Sequence, residues 1–128
     1  MTMSSPAEHP FAPPGWPCVV PRIVVRGTRE FVGFVRRVFG ATGEYLETRP
    51  SELWISGSLV MVSEEGVRPP TPAFLYVYVA DADAVFARAV EAGARVIETP
   101  QDTPYGDRRA MVEDAWGNTW QVATYRKS

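Results

Sequence analysis

Two Gly-Ala pairs, Gly40-Ala41 and Gly93-Ala94, stand 53 positions apart, and each closes an amphipathic stretch and opens a β-rich one. This constrains the fold more than any other feature. A glycine placed directly after an apolar stripe ends a helix in the left-handed conformation, and ending two helices alike implies that one unit occurs twice. In Arg29–Phe39 the apolar residues Phe31, Phe34, Val35, Val38 and Phe39 recur at spacings of three and four, which predicts a helix with Thr28 as its cap. The β-branched run Val19–Val25 before it predicts a strand, with Pro21 tolerable at a strand start or edge. Three short strands are predicted after it, near 42–47, 52–56 and 58–62, the last two joined by a tight turn at Ser56-Gly57.

The pattern then restarts. Phe74–Val79 alternates strictly, Asp81 or Asp83 caps a second helix striped by Val85, Phe86, Ala89 and Val90, and Gly93 ends it. Strands are predicted at 94–98, 108–113 and 119–124. Asp114–Asn118 forms the last turn, with Gly117 and Asn118 suited to positive φ. The chain therefore reads as α+β: two βαβββ modules forming a concave mixed sheet with the helices outside. A tail, 1–17, is expected to be flexible because it is rich in proline and small residues. Trp16 and Phe11 are its candidate anchors. Module one follows at 18–63, a linker at 64–73 and module two at 74–125. Neither module can cover both faces of its own sheet. Two concave faces, from one chain or from two subunits, would enclose a cavity.

Composition narrows the partners. The 128 residues carry a formal net charge of −2, so no basic surface points to nucleic acid or an anionic membrane. No apolar run approaches the roughly 18–20 residues of a membrane span, and the N-terminus lacks the pattern of a signal peptide. Cys18 is the only cysteine, which excludes an internal disulfide and makes the reducing cytoplasm the expected compartment. Neither a glycine-rich phosphate loop nor a nucleophile elbow is present, and the one histidine, His9, stands in the tail. A thiol nucleophile at Cys18 would lack a base.

The second half carries the most specific signal: LYVYVADADAVFARAVEAGARVIETP, then YGDRR, then VEDAWGNTWQVA. A strand ending in Val-x-Asp, a helix ending in Gly-Ala and a terminal D-x-x-G-N-x-W hairpin, in that order, resemble the vicinal oxygen chelate superfamily. That group includes glyoxalase I, extradiol dioxygenases, and bleomycin- and fosfomycin-resistance proteins. The resemblance covers about residues 18–125, and Tyr105-Gly106-Asp107-Arg108 is similar to its PhnB-like branch. It implies a homodimer and, in the enzymes, a divalent metal held by His, Glu or Gln on the concave face. Carried onto this chain, the two strand-opening ligand positions are Val20 and Phe74, neither of which can bind a cation. The third falls on Pro50 or Glu52 and the fourth on Gln121. No metal or other cofactor is therefore expected, with a divalent ion as the alternative.

Alternation assigns the remaining surface. Leu75, Val77 and Val79 are expected to pack under the helices, which leaves Phe74, Tyr76 and Tyr78 for the cavity. Glu52 and Trp54 on one strand and Gln121 on another face it too, and Arg108 is a further candidate, either for an anionic ligand group or for a pair with Asp107, Glu113 or a neighbouring subunit. Trp116, at a hairpin tip, is a candidate for the pocket mouth or for an exposed or interface position. Such a surface suits a planar or aromatic organic molecule. The expected function is sequestration of a small molecule without chemistry, as in the resemblance's bleomycin-resistance members. The alternatives are a glyoxalase- or dioxygenase-like enzyme, metal-dependent or a metal-free lyase or isomerase with Glu52 as the candidate base, and a structural dimer whose aromatics only fill an interface.

Overall fold

The structure, a computed structural model, describes residues 9–126. The first module contributes β1 (Arg22–Val25), α1 (Thr28–Phe39), β2 (Ser51–Ile55) and β3 (Ser58–Glu64). The second contributes β4 (Phe74–Tyr78), α2 (Ala82–Glu91), β5 (Arg95–Asp102), β6 (Asp107–Glu113) and β7 (Thr119–Tyr125). They form two mixed sheets, ordered β1-β3-β2 and β4-β7-β6-β5. In each, the first strand pairs in parallel with the last, and the other pairings are antiparallel. The repeated order is therefore real, and β1 and β4 occupy equivalent edge positions.

The modules differ where a fourth strand was expected in the first. Residues 42–47 give only an isolated bridge, Thr42 with Trp54, through backbone bonds of 3.0 and 2.9 Å. Gly43 then turns away at φ 110°, and a Cβ there would meet the Glu52 carbonyl oxygen at 2.0 Å. Glycine is obligatory at so close an approach, and the turn ends the pairing after one residue. β1 is also shorter than expected, since it starts at Arg22, after Pro21. β5 runs on to Asp102, with two register shifts against β6.

Helix α1 is not capped by Thr28. Its cap residue is Gly27, at φ 93°, and the acceptor comes from across the module: the Glu64 carboxylate accepts from Gly27 N at 3.0 Å and Thr28 N at 2.9 Å. A carboxylate placed there answers both the free N–H groups and the helix dipole. Those two N–H groups hold the Glu64 carboxyl below the usual carboxylate range. Glu64, expected to begin the linker, is thus the last residue of β3 and the cap of α1. Helix α2 follows the expected pattern, with Asp81 accepting from Ala84 N at 3.1 Å.

The two helices pack on one face of each sheet and on each other, so both modules share one core. Ile23, Leu53 and Val62 of the first sheet meet Phe31, Val35 and Val38 of α1, and Val112, Trp120 and Val122 of the second sheet close the cluster. Trp120 lies against Phe39 at 4.8 Å between ring centroids. Arg88 of α2 donates to the Val38 carbonyl near the end of α1 at 3.0 Å, which ties the helices across the modules. Burying a side chain of this size contributes about 1.5–3 kcal/mol.

The D-x-x-G-N-x-W turn acts as a polar knot under this core. Asp114 is buried, and its Oδ1 accepts from Trp116 N and Asn118 N, each at 2.9 Å. Its Oδ2 accepts from Trp120 Nε1 at 2.8 Å. Asn118 Oδ1 accepts in turn from Ala73 N at 2.8 Å, which fixes the entry to β4. Trp116 does not sit at a pocket mouth. It inserts its ring edge-on against Phe31 and Phe34 of the first module and donates to the Arg26 carbonyl at 3.0 Å. No helix among the described residues is long and apolar enough to cross a membrane.

Candidate functional site

Strand β4 builds the site through its alternation. Leu75, Val77 and Val79 pack against the core, while Phe74, Tyr76 and Tyr78 point the other way and remain 66%, 38% and 56% exposed. The register brings Gln121 of β7 beside Tyr76 and Ala123 beside Tyr78. On β6 it brings Met111 beside Gln121, Arg109 beside Ala123 and Asp107 beside Tyr125. Paired residues share a face, so these side chains form one surface on the side of the sheet away from the helices.

The tyrosine rings reach across that surface. Tyr78 donates to Asp107 Oδ2 at 2.8 Å and Tyr76 donates to the same oxygen at 2.5 Å, although Asp107 stands on β6 with β7 between. Strands lie about 4.8 Å apart, so both phenols must lean over β7 to make these bonds. Ala123, at the middle of that span, is fully buried. Asp107 is itself 2% exposed, and its backbone N donates to Thr103 Oγ1 at 2.9 Å. Arg109 donates to Tyr105 Oη at 2.6 Å and to Glu98 at 3.3 Å. Burial and donation to Asp107 push the Tyr76 phenol far above its ordinary range, and donation to Asp107 raises that of Tyr78. Both are therefore neutral donors at any ordinary pH.

A cleft of about 600 Å³ adjoins this face and separates the modules. One wall is the β2–β3 hairpin, Ile55–Val60, and the other is Leu75–Tyr78; Trp120 is at its base, and Pro17, Val19 and Pro21 line its rim. Among the described residues no charged side chain lines it. Ser56, at the hairpin turn, holds φ 53°, the one positive φ outside glycine among the described residues.

Of the side chains expected at the site, Tyr76 and Tyr78 line the cleft, and Phe74 and Gln121 share their face. Glu52 and Trp54 lie on the first sheet, opposite its core face, and do not line this cleft. Arg108, open from the sequence to either a ligand contact or an ion pair, stands on the helix side of β6, where it pairs with Asp83 of α2 at 3.0 Å and with Asp102 at 3.4 Å. The reason is parity: Ala110 and Val112 are core residues, and Arg108 shares their face. The arginine on the aromatic face is Arg109, which sequence reasoning passed over along with Asp107, Glu98 and Tyr105. Counting by twos back from Val112 and Ala110 puts Arg108 on the core face and so leaves Asp107 and Arg109 on the other. Their joining to the tyrosines depends on strand order and was not accessible.

Of the tail, residues 1–8 lie outside the described residues. His9 stacks on Phe11 at 5.5 Å, and Phe11 is 79% exposed, so it does not anchor this segment. The positions matched to metal ligands carry Val20 and Phe74, whose side chains offer no lone pair. Glu52 and Gln121 stand on different sheets. Among the described residues no group of three or more His, Cys, Asp or Glu is placed to hold an ion. This donor set does not fit a divalent metal centre. What the arrangement offers is an apolar cleft beside tethered aromatic rings, suited to stacking and burial.

The sequence profile described as the Glyoxalase/Bleomycin resistance protein/Dioxygenase superfamily matches residues 17–122. An uncharacterized protein of Mycobacterium bovis is 28% identical over 124 residues, covering 83% of this chain and 82% of its own length. The crystal structure of TioX from Micromonospora sp. ML1 superposes with a TM-score of 0.69 at 27% identity, over 84% of this chain and 97% of TioX. A glyoxalase/bleomycin resistance protein/dioxygenase family enzyme from Burkholderia phytofirmans superposes equally well, at 0.69, with 18% identity over 83% of this chain and 96% of its own, and shares the fold. The element order, the two mixed sheets and the profile agree: the chain belongs to the glyoxalase/bleomycin resistance protein/dioxygenase superfamily.

Proposed function

We propose that this protein binds and sequesters a planar or aromatic organic molecule in the cleft between its modules, without a metal. The observation that carries this reading is the 600 Å³ cleft, free of charged side chains, with Tyr76 and Tyr78 in its wall. That volume lies in the range of small-molecule pockets, which are mostly apolar with a few orienting polar groups. Rings tethered by hydrogen bonds lose little freedom when a flat ligand stacks on them. The side chains at the family's ligand positions, Val20 and Phe74, support a binding role over metal-assisted catalysis. The protein acts as a homodimer, as the family resemblance implies, and in the cytoplasm, a reading supported by the exposed free thiol of Cys18.

The test is a thermal-shift and tryptophan-fluorescence screen of planar aromatic compounds, with and without Mn²⁺, Ni²⁺ or Zn²⁺. Trp120 at the base of the cleft serves as the reporter. A shift with compound alone supports sequestration. A shift that requires the metal overturns it in favour of the enzymatic alternative. Light scattering on the full chain decides the dimer.

A further inference from the structure

Among the described residues the charges on the aromatic face do not cancel. Five of their ionisable side chains occupy it besides the phenols: Arg95 and Glu98 from β5, and Asp107, Arg109 and Glu113 from β6. Strands β4 and β7 add none, since they present only Phe74, Tyr76 and Tyr78, and Thr119, Gln121, Ala123 and Tyr125. Arg95 pairs with Glu113 at 3.0 Å and Arg109 with Glu98 at 3.3 Å, so each cation has its own carboxylate. Asp107 forms no ion pair among the described residues. Its Oδ2 instead takes the hydroxyl hydrogens of Tyr76 and Tyr78, leaving a negative charge buried beneath two partly exposed rings.

Resting on the proposed binding of a flat ligand, we infer that the molecule this face selects is a planar cation, such as an N-alkylated heteroaromatic ring. Three features converge on that class. The rings lean over β7 toward Asp107, and a ring face carries the negative lobe of its quadrupole. Each phenol gives its hydrogen to a carboxylate, which makes the ring richer in electrons and leaves its oxygen lone pairs as acceptors. Among the described residues the face carries one uncompensated negative charge, and the adjoining cleft contributes none of either sign. Asp107 acts here as a positioning residue. It fixes two rings from one carboxylate and sets the sign of the charge behind them.

The test uses three flat two-ring probes with the full-length protein, by equilibrium dialysis at pH 8: the cation 1-methylquinolinium, neutral quinoline and the anion 1-naphthoate. The cation is expected to bind about tenfold more tightly than quinoline, with 1-naphthoate weakest. Asp107→Asn should reduce the cation-to-neutral ratio at least about threefold. Should that buried substitution prevent folding, Glu98→Gln removes a negative charge from the same face at a partly exposed site and is expected to lower the ratio likewise. Quinoline or 1-naphthoate binding as tightly as the cation overturns the inference and leaves the flat-ligand reading intact. A ratio unchanged in every variant that folds also overturns it. Retention of none of the three probes overturns the inference together with the reading on which it rests.

Discussion

The indole nitrogen of Trp120 donates to Asp114 Oδ2 at 2.8 Å, and both side chains are buried, at 1% and 4% exposure. Trp120 is the largest fully buried side chain, and its one polar atom is satisfied by a residue of the preceding turn. The same carboxylate holds Trp116 N and Asn118 N. Asp114→Ala strands four donors at once: the backbone N–H groups of Trp116 and Asn118, Asn118 Nδ2 and Trp120 Nε1. It is expected to cost about 3 kcal/mol or more, because each buried donor left unmet costs about 1–3 kcal/mol. Urea unfolding of the variant checks this, and a loss under 1 kcal/mol would contradict it.

Glu64 gives a pH-dependent prediction. Its folded pKa lies below the unfolded value of about 4.3. The stability it lends is present above that value and falls away as pH drops through the folded pKa. Glu64→Gln should lower stability at pH 7 by about 1 kcal/mol or less, since the group is exposed and screened. The difference from the parent should vanish at the acid end. Thermal melts of both proteins from pH 7 to pH 3 decide it.

Alkaline titration reads the tyrosine tether. The Tyr76 and Tyr78 phenols are raised, so the stability of their bonds to Asp107 is fully present below the ordinary phenol pKa of about 10 and is lost only as pH climbs through the raised values. Of the five tyrosines, two should ionise late, in step with unfolding. The absorbance change near 295 nm in Tyr76→Phe/Tyr78→Phe should lack that late phase. A late phase of unchanged size would rule out the tether.

The two neighbouring arginines should separate. Arg108→Met loses exposed pairs with Asp83 and Asp102 and is expected to change stability by about 1 kcal/mol at most, with the affinity for a cleft ligand unchanged. Arg109→Met removes the donor to Tyr105 and the partner of Glu98 on the aromatic face, and should alter that affinity severalfold. Calorimetry with one planar probe against both variants checks the assignment.

The repeated helix stops and the strict alternation of β4 were legible because both are local properties of the chain: a glycine after a stripe, and a period of two. The same alternation correctly turned Phe74, Tyr76 and Tyr78 away from the core. Thr42–Glu47 misled because its composition suits a strand, while the approach of Gly43 to the Glu52 carbonyl ends the pairing. The cap of α1 was hidden for a different reason, as Glu64 lies 36 residues from Thr28 and reaches it only through the parallel pairing of β1 with β3. The junction of Asp107 with two phenols from β4 required knowing that β7 lies between them. Sequence periodicity says which side of a strand a residue takes, and nothing about which strand lies next.

Trp116 carries a consequence for how such a chain could change over generations. Its ring belongs to the second module by sequence, yet it rests on Phe31 and Phe34 of the first and closes on the Arg26 carbonyl. Whatever symmetry the halves retain, they are no longer interchangeable parts. A recombinant that joined this first half to the second half of a distant relative would leave an unfilled notch on α1 unless the incoming turn also carried a tryptophan at its tip. Shuffling of half-molecules is thereby restricted to donors that share this one ring.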